Sequence, residues 1–232
     1  MQEPISYFYN KLGIDLKQIK EIVCGEKYVA VLLRNGNIGV CATLFQKVDV
    51  KINELEKIDI NLIPHRIVAN AYFNALLNYD RQYDKQIDIF DEIDFEKFRN
   101  IVMIGFFGSL TEKFKKASIN LSIFDLESQS SEIIDINKQK EFLAKSEVVI
   151  LSSTTVFNNT FLEIINSTSE NCRIFTLGPS TILHPDMFKY KNIHTIFGSV
   201  FKNNDRELLD IIRNDGGTKS FLHIMKKVCF DG

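Results

Sequence analysis

The stretch IVMIGFFGSLTEKFKKASINLSIF, residues 101–124, decides the fold class of this chain. It opens with the apolar run IVMI, turns at Gly105 to Gly108, continues as the amphipathic segment SLTEKFKKA and returns to a second apolar run, INLSIF. A short, continuously apolar run is typical of a parallel strand buried on both faces, and the amphipathic segment that follows is typical of a covering helix. The stretch therefore predicts a strand, a helix and a second, parallel strand.

The same alternation continues to residue 214. Further apolar runs occur in EVVILSS, CRIFTL and NIHTIFG, and they alternate with the helical patterns NKQKEFLAK, NNTFLEIINS and DRELLDIIRN. Strands that alternate with helices indicate an α/β domain with a doubly wound, mainly parallel sheet. Right-handed crossovers place the carboxyl ends of such strands at one edge, where ligands of open α/β sheets bind. The residues just after each strand are therefore the candidate site.

The amino-terminal part has a different pattern. YVAVLL and IGVCATLF flank Arg34–Asn37, whose Asn-Gly pair predicts a hairpin with a type I′ turn. A helix follows in IVANAYFNALLNY, with Asn70, Asn74 and Asn78 spaced by four along one face. The charged segment from Asp80 to Arg99 is typical of a solvated linker. We therefore predict an α+β domain over residues 1–95 and the sheet domain over residues 96–232.

Small and polar residues follow the predicted strands. The first strand is followed by a glycine turn, the second by Asp125, with Glu127 as its alternative, and the run EVVIL by Ser152–Thr155 and Asn158–Thr160. The run RIFTL is followed by Gly178, Pro179, Ser180 and Thr181. We expect a ligand-binding set of Asn70, Asn74, Gly105, Phe106, Gly108, Asp125, Thr154, Thr155, Asn158, Gly178, Pro179, Ser180 and Thr181. Tight turns, helix caps and a water-exposed carboxylate explain parts of this pattern without any ligand.

Composition argues against several classes of function. A net charge of −2 gives no attraction to nucleic acid, and no apolar run is long enough for a membrane span. The four dispersed cysteines and the absence of a leader pattern fit the cytoplasm. Neither the histidines nor the cysteines show zinc-site spacing, so we expect no metal site on the protein, and the sequence indicates no particular cofactor. His184 is the candidate general base, and the hairpin edge makes a homodimer conceivable.

Five segments together resemble one family. They are IVANAYFNALL, VMIGFFGSL, LSSTTVFNNTF, LGPSTILHPDMF and IFGSVFKNNDRELLDIIRNDGG, and in this order they resemble the heavy-metal chelation domain family, formerly a domain of unknown function. The resemblance implies a domain similar to the enolase amino-terminal domain, followed by a Rossmann-like domain, with a cleft formed by both. This chain departs from the family pattern at Ile182, Leu183 and His184, where the family has a proline and small residues.

The resemblance implies a role in making or handling metal-chelating small molecules, such as siderophore-, pterin- or flavin-like compounds. Three functions stay open at this point. The protein is an enzyme acting on a chelator precursor, an S-adenosylmethionine-dependent methyltransferase, or a binding protein that captures a metallophore without turnover. In the second case Gly105 to Gly108 would face the methionine part and Asp125 the ribose.

Overall fold

The computed structural model describes residues 1–84, 86–126 and 130–232. In the first part of the chain, helix α1 and three strands precede a long helix. Their bounds are α1 Pro4–Leu12, β1 Ile19–Cys24, β2 Tyr28–Leu33, β3 Ile38–Ala42 and α2 Ile63–Leu77.

The rest of the chain alternates strands and helices. The bounds are α3 Ile89–Glu92, β4 Ile101–Ile104, α4 Gly108–Lys116, β5 Ser122–Phe124, α5 Gln139–Lys145, β6 Val148–Ser152, α6 Thr154–Phe157, α7 Phe161–Asn166, β7 Arg173–Leu177, β8 Ile193–Val200, α8 Arg206–Arg213, α9 Thr218–Phe221 and β9 Lys226–Asp231. In the described ranges, no helix has both the length and the apolar character that a membrane crossing requires.

The second half of the chain forms a six-stranded sheet with the order β5-β4-β6-β7-β8-β9. The first five strands are parallel, which confirms the predicted doubly wound, mainly parallel α/β class, and β9 adds an antiparallel edge that the sequence did not indicate. One face packs against α4 and the segment before β4, through Leu110, Phe114 and Phe95. The opposite face packs against α2, α5, α6 and α7 in a larger cluster. Both faces are therefore covered, as the continuous apolar strands require.

The first half forms an antiparallel sheet of β1, β2 and β3, with the predicted hairpin between β2 and β3. The predicted type I′ turn is wrong: Gly36 has a φ of +96°, whereas Asn35 does not have a positive φ. The Gly36 N–H donates to Leu33 O and the Leu33 N–H donates to Asn37 O, which leaves a three-residue loop. Loops of this length use a type I turn followed by one left-handed residue, and glycine supplies that residue here.

Helix α2 crosses β3 at very close range. A Cβ atom on Gly39 would lie 2.1 Å from Ala71 O and 2.2 Å from Ala75 N, so the helix backbone rests directly on the strand. Because the side chains at this crossing are absent or small, the amides of α2 can reach the strand and the turns beyond it. This packing fixes the small sheet against the carboxyl edge of the large one.

The two halves of the chain cover each other. The face of the small sheet that points away from α2 packs against α8 and α9, through Leu208, Leu209, Ile212 and Phe221. The segment before β4 is not a solvated linker throughout, because Ile89 and Phe95 are buried in the core of the large sheet. In the sequence, the apolar residues of this segment are interspersed with charged ones, which gives it the composition of a linker. The boundary between residues 95 and 96 stays a prediction.

Candidate functional site

The predicted site residues lie at the carboxyl edge of the six-stranded sheet, where the strand order reverses. Strand β4 pairs with β5 on one side and with β6 on the other, although β5 precedes β6 in the chain. This arrangement is a topological switch point, the place where open α/β sheets bind ligands. The loops that follow β4 and β6 border it.

Three loops come together at this edge. A Cβ atom on Gly105 would lie 2.7 Å from Ser152 Cβ, and a Cβ atom on Gly178 would lie 2.7 Å from Ser153 Oγ. The loops after β4, β6 and β7 are therefore in direct contact, in that order. Gly178 has a φ of +135°, which is nearly restricted to glycine, so its lack of a side chain meets both a conformational and a spatial requirement. We call this region, defined by Gly105, Gly108, Ser153, Thr154 and Gly178, the carboxyl-edge site.

The glycine loop after β4 is fixed by Asp125. The Phe106 N–H donates to Asp125 Oδ2 at 2.8 Å, so this carboxylate positions the loop. The loop ends at the amino terminus of α4, whose N-cap residue Phe107 makes no side-chain capping hydrogen bond. The alternative acid, Glu127, lies outside the described residues.

Most hydroxyl and amide groups after β6 are engaged within their own turn. Ser152 Oγ and Thr154 Oγ1 are 2.8 Å apart, and Thr155 Oγ1 donates to Ser152 O at 2.7 Å. Asn158 Oδ1 accepts hydrogen bonds from the Thr160 N–H and hydroxyl, at 3.2 and 2.7 Å. These contacts are the capping and turn bonds that such residues make in the absence of any ligand.

Ser153 is the exception among these hydroxyls. The residue is 2% exposed, and its Oγ has no hydrogen-bond partner in the part of the chain that the structure describes. It lies against the α-carbon of Gly178, between the loops after β6 and β7. The Ser153 Oγ atom is not fully enclosed by protein, so this hydroxyl is available to bond a molecule at the carboxyl edge.

The three amides of α2 hold the turn after β7 and the edge of β3. Asn70 Nδ2 donates to Ser180 O at 2.9 Å, and Asn74 Nδ2 donates to Val40 O at 2.9 Å. Asn78 makes two bonds: its Nδ2 donates to Thr181 O at 2.9 Å and its Oδ1 accepts from the Leu183 N–H at 2.7 Å. All three amides are buried, so the regular spacing joins α2 to both halves of the chain.

The Ser180 and Thr181 hydroxyls are also engaged. Ser180 Oγ accepts a hydrogen bond from the Ala42 N–H at 2.9 Å, and Thr181 Oγ1 donates to Phe197 O at 2.8 Å. The turn is therefore tied to β3 on one side and to β8 on the other. Both side chains are buried, and the neighbouring Gly178 and Pro179 are the partly exposed residues of this turn.

Exposure divides the predicted set into two groups. The partly exposed residues are Gly105, Phe106, Gly108, Asp125, Thr154, Asn158, Gly178 and Pro179. The buried residues are Asn70, Asn74, Thr155, Ser180 and Thr181, which hold the surrounding elements in place. Ligand contact by either group stays a prediction, and the first group is the one open to a molecule from solvent.

Arg66 was not among the predicted residues, although it connects α2 to the loop after β6. Its buried guanidinium donates to Phe157 O at 2.6 Å and to Val156 O at 2.8 Å, the carbonyls at the end of α6. Burial lowers the pKa of Arg66, and the charge of the nearby Glu3 carboxylate opposes that shift. No sequence signal separates this buried cation from a solvent-facing arginine on a helix.

His184, the candidate general base, is engaged in a turn. Its Nδ1 accepts from the Asp186 N–H at 3.1 Å, and its ring packs edge-on against Phe8. Burial lowers the pKa of this histidine. The adjoining Asp186 carboxylate contacts Lys11, Lys189 and the Tyr7 hydroxyl, and its pKa lies well below the ordinary range because these bonds outweigh the opposing effect of burial.

A cavity of about 280 Å³ lies at the opposite edge of the sheet, where β4 and β5 begin. Asn120, Ser122 and Phe142 line part of it, and its Lys145 forms an exposed ion pair with Glu141. The polar residues and the switch point are at the carboxyl edge, whereas this cavity lies at the amino ends of the strands. We assign the candidate site by chemistry. Among the described residues, no cluster of three or more His, Cys, Asp or Glu side chains could hold a metal ion.

The solved structures to which the chain is similar include two proteins of unknown function. One is a protein of unknown function from Pyrococcus horikoshii, with 19% identity, a TM-score of 0.77 and coverage of 92% of this chain and 93% of the other. The other is a protein of unknown function from Desulfitobacterium hafniense, with 17% identity, a TM-score of 0.75 and coverage of 98% of both chains. Both are assigned to the DUF364 family. At these identities the likeness establishes a shared fold.

Family models account for nearly the whole chain. One model, DUF4213, matches residues 8–78, and another, DUF364, matches residues 88–230; both carry the description "Putative heavy-metal chelation". No curated protein matches the sequence. The second model alone spans more than half of the chain, and it includes all the loops of the carboxyl-edge site. The chain therefore belongs to the heavy-metal chelation family.

Proposed function

We propose that the protein binds a small polar, metal-chelating molecule at the carboxyl-edge site. The observation that carries the proposal is the hydroxyl of Ser153, which has no hydrogen-bond partner in the described ranges and lies beside Gly178 at the carboxyl edge. A ligand oxygen or nitrogen there would supply the bond that the protein withholds. The partly exposed Thr154 and Asn158 would form the polar wall of the same site.

The electrostatic character of the site indicates which ligand groups suit it. Its defining residues are neutral, and Asp125 beside them is acidic. Ligand hydroxyl and carbonyl groups can form hydrogen bonds with the neutral residues of this site. In this proposal the metal arrives as part of the ligand, because the sequence has no closely spaced pair of histidines or cysteines. We place this activity in the cytoplasm, where the four cysteines would stay reduced.

Thermal-shift measurements test the proposal. The probes are 2,3-dihydroxybenzoate, its ferric complex, ferric citrate and S-adenosylmethionine. Binding to the folded state raises the melting temperature with ligand concentration. We expect a saturable rise with the chelators or their ferric complexes. A rise with S-adenosylmethionine alone would replace the proposal with the methyltransferase alternative, and no rise with any chelator would contradict it.

Ser153→Ala sharpens this test. Because the hydroxyl has no partner in the described chain, its removal should leave the melting temperature of the free protein nearly unchanged. Loss of one neutral hydrogen bond to the ligand should weaken binding about 2- to 12-fold. Ser220→Ala, an exposed serine in α9, is the matched control and should bind as the wild type does. Equal affinity in the two variants would remove Ser153 from the site. Mass spectrometry of the probes after incubation separates turnover from simple capture.

A further inference from the structure

The chain leaves β3 through an unusual backbone conformation. Leu44 has a φ of +49° and Phe45 a φ of +55°, so two consecutive residues with side chains adopt the left-handed region. This region is unfavourable for any residue with a Cβ, and the surrounding structure must impose it. Glycine, which adopts this conformation without cost, occupies neither position.

Hydrogen bonds from Thr43 hold this turn. The Thr43 N–H donates to Lys27 O at 3.0 Å, and its buried hydroxyl donates to Glu26 O. The same hydroxyl accepts from the Phe45 N–H at 3.1 Å. Leu44 packs against the core, whereas Phe45 is 64% exposed. The hydrogen bonds of Thr43 therefore stabilise a turn in which the Phe45 ring is exposed to solvent.

Contacts between β3 and α2 show where this ring lies. The strand runs antiparallel to the helix: Tyr79 bonds to Ile38 O, Asn74 bonds to Val40 O, and Ala42 bonds to Ser180. The chain beyond Ala42 thus continues towards the amino end of α2.

At that end of α2, Arg66 holds the carbonyls of Val156 and Phe157 in the loop after β6. Phe45 is three residues beyond Ala42, so its backbone lies within about 10 Å of Ala42, and the Ala42 N–H itself bonds to Ser180 in the turn after β7. The exposed ring therefore belongs to the end of the small sheet that borders the turn after β7, one of the three loops of the carboxyl-edge site.

We infer that Phe45 contacts a flat, conjugated ring of the ligand and selects aromatic over aliphatic chelators. The inference rests on the proposed function and narrows its ligand class. An aromatic ring pairs with a second ring by offset or edge-to-face stacking, in addition to the area that the contact buries. An aliphatic hydroxycarboxylate has no ring to stack, so Phe45 favours a catecholate-type ring over it.

The absence of tryptophan from the chain provides a direct assay. Phe45→Trp introduces a single tryptophan at the inferred contact, and Leu222→Trp places the same fluorophore at an exposed position in the loop after α9 as a matched control. We expect the ferric complex of 2,3-dihydroxybenzoate to quench the fluorescence of the Phe45→Trp variant saturably. With the Leu222→Trp variant, the same complex should lower the fluorescence in proportion to its concentration and without saturation, because the complex itself absorbs light. Equilibrium dialysis, with iron measured by mass spectrometry, gives the affinity independently.

Two further variants separate ligand contact from folding. Phe45→Ala should weaken binding of the aromatic ferric complex about 2- to 12-fold and that of ferric citrate less than about 2-fold. Phe45→Gly places a glycine, which adopts the left-handed backbone region without cost, at this position. It should therefore weaken aromatic binding without lowering the melting temperature.

The outcomes distinguish this inference from the proposed function. Undiminished aromatic binding in Phe45→Ala, with no saturable quenching in Phe45→Trp, would overturn the role of Phe45 and leave the proposed function standing. An equal loss for both ferric complexes would also overturn the selection of rings. If dialysis shows no binding of either complex to the wild type, the proposed function fails and this inference fails with it.

Discussion

Replacement of Asn78 by alanine is the most informative perturbation of the architecture around the site. Asn78 is buried at the end of α2, and its amide makes two bonds to the turn after β7: it donates to Thr181 O at 2.9 Å and accepts from the Leu183 N–H at 2.7 Å. Alanine removes both bonds and keeps the helix, for which it has the highest propensity. The effect on stability therefore reports on the amide contacts alone.

The expected magnitude follows from the groups left behind. The substitution leaves one carbonyl and one N–H without their partner in a buried turn, since Thr181 and Leu183 are 2% and 3% exposed. Each such group costs about 1–3 kcal/mol, so we expect a loss of about 4 kcal/mol in the free energy of unfolding. Asn74→Ala leaves one carbonyl, Val40 O, without its side-chain partner. It also removes the Asn74 amide oxygen, which is itself buried without a partner in the described chain. Its cost should be about 1–2 kcal/mol.

Urea denaturation followed by circular dichroism measures both losses, with the slope of the transition compared between variants. Asn137→Ala serves as the control, because Asn137 is exposed and, within the described part of the chain, its side chain bonds to Asp135 alone. We expect the control to lie within about 0.5 kcal/mol of the wild type. A loss below about 1 kcal/mol for Asn78→Ala, or one no larger than that of Asn74→Ala, would refute the reasoning.

Two further predictions concern packing and pH. Gly39→Ala should cost at least about 2–3 kcal/mol in urea denaturation, because the new Cβ would lie 2.1 Å from Ala71 O. Gly217→Ala should cost less than about 1 kcal/mol, because the nearest atom is the flexible Lys27 Cδ at 3.2 Å and only a helix N-cap glycine is replaced. Equal costs would contradict the close crossing. Burial of Asp88 would by itself raise its pKa from 3.8, but bonds from Lys227, Lys113 and the Phe90 N–H lower it to about 2. Because the pKa of Asp88 is lower in the folded state than in the unfolded state, its ionised carboxylate stabilises the protein at pH values above the unfolded pKa. This stabilisation is lost as the pH falls towards about 2. The difference in melting temperature between the wild type and Asp88→Asn should therefore be constant above about pH 5 and shrink below about pH 4, whereas a pH-independent difference would exclude this role.

The parallel sheet could be predicted from the sequence because its strands are buried on both faces. Runs such as IVMI and VVILS are uninterrupted apolar segments, which leave little ambiguity when helical patterns separate them. Strand β9, Lys226–Asp231, lies at an antiparallel edge and carries charged residues at both ends, so it lacks that signal. The burial of Ile89 and Phe95 was missed for a similar reason, since the apolar residues of this segment are interspersed with charged ones and follow neither a helical nor a strand period.

The candidate site was predictable in its location but not in its internal bonding. The spacing of Asn70, Asn74 and Asn78 correctly places the three amides on one helical face, yet the carbonyl partners of Asn70 and Asn78 come from residues more than 100 positions away. Neighbouring hydroxyls look equivalent in the sequence. Only the fold shows that Ser152, Thr154 and Thr155 have partners while Ser153 has none among the described residues.

An amide chemical-shift map tests the central claim most directly. The ¹⁵N-labelled protein would be titrated with the gallium(III) complex of 2,3-dihydroxybenzoate, which is diamagnetic and so leaves the resonances near the metal observable. We expect the largest saturable shifts at the amides of Gly105, Gly108, Ser153 and Gly178, three loops that meet only in the folded chain. Shifts centred on Asn120, Ser122 and Phe142 in the cavity at the opposite edge, or no saturable shifts at all, would contradict the claim.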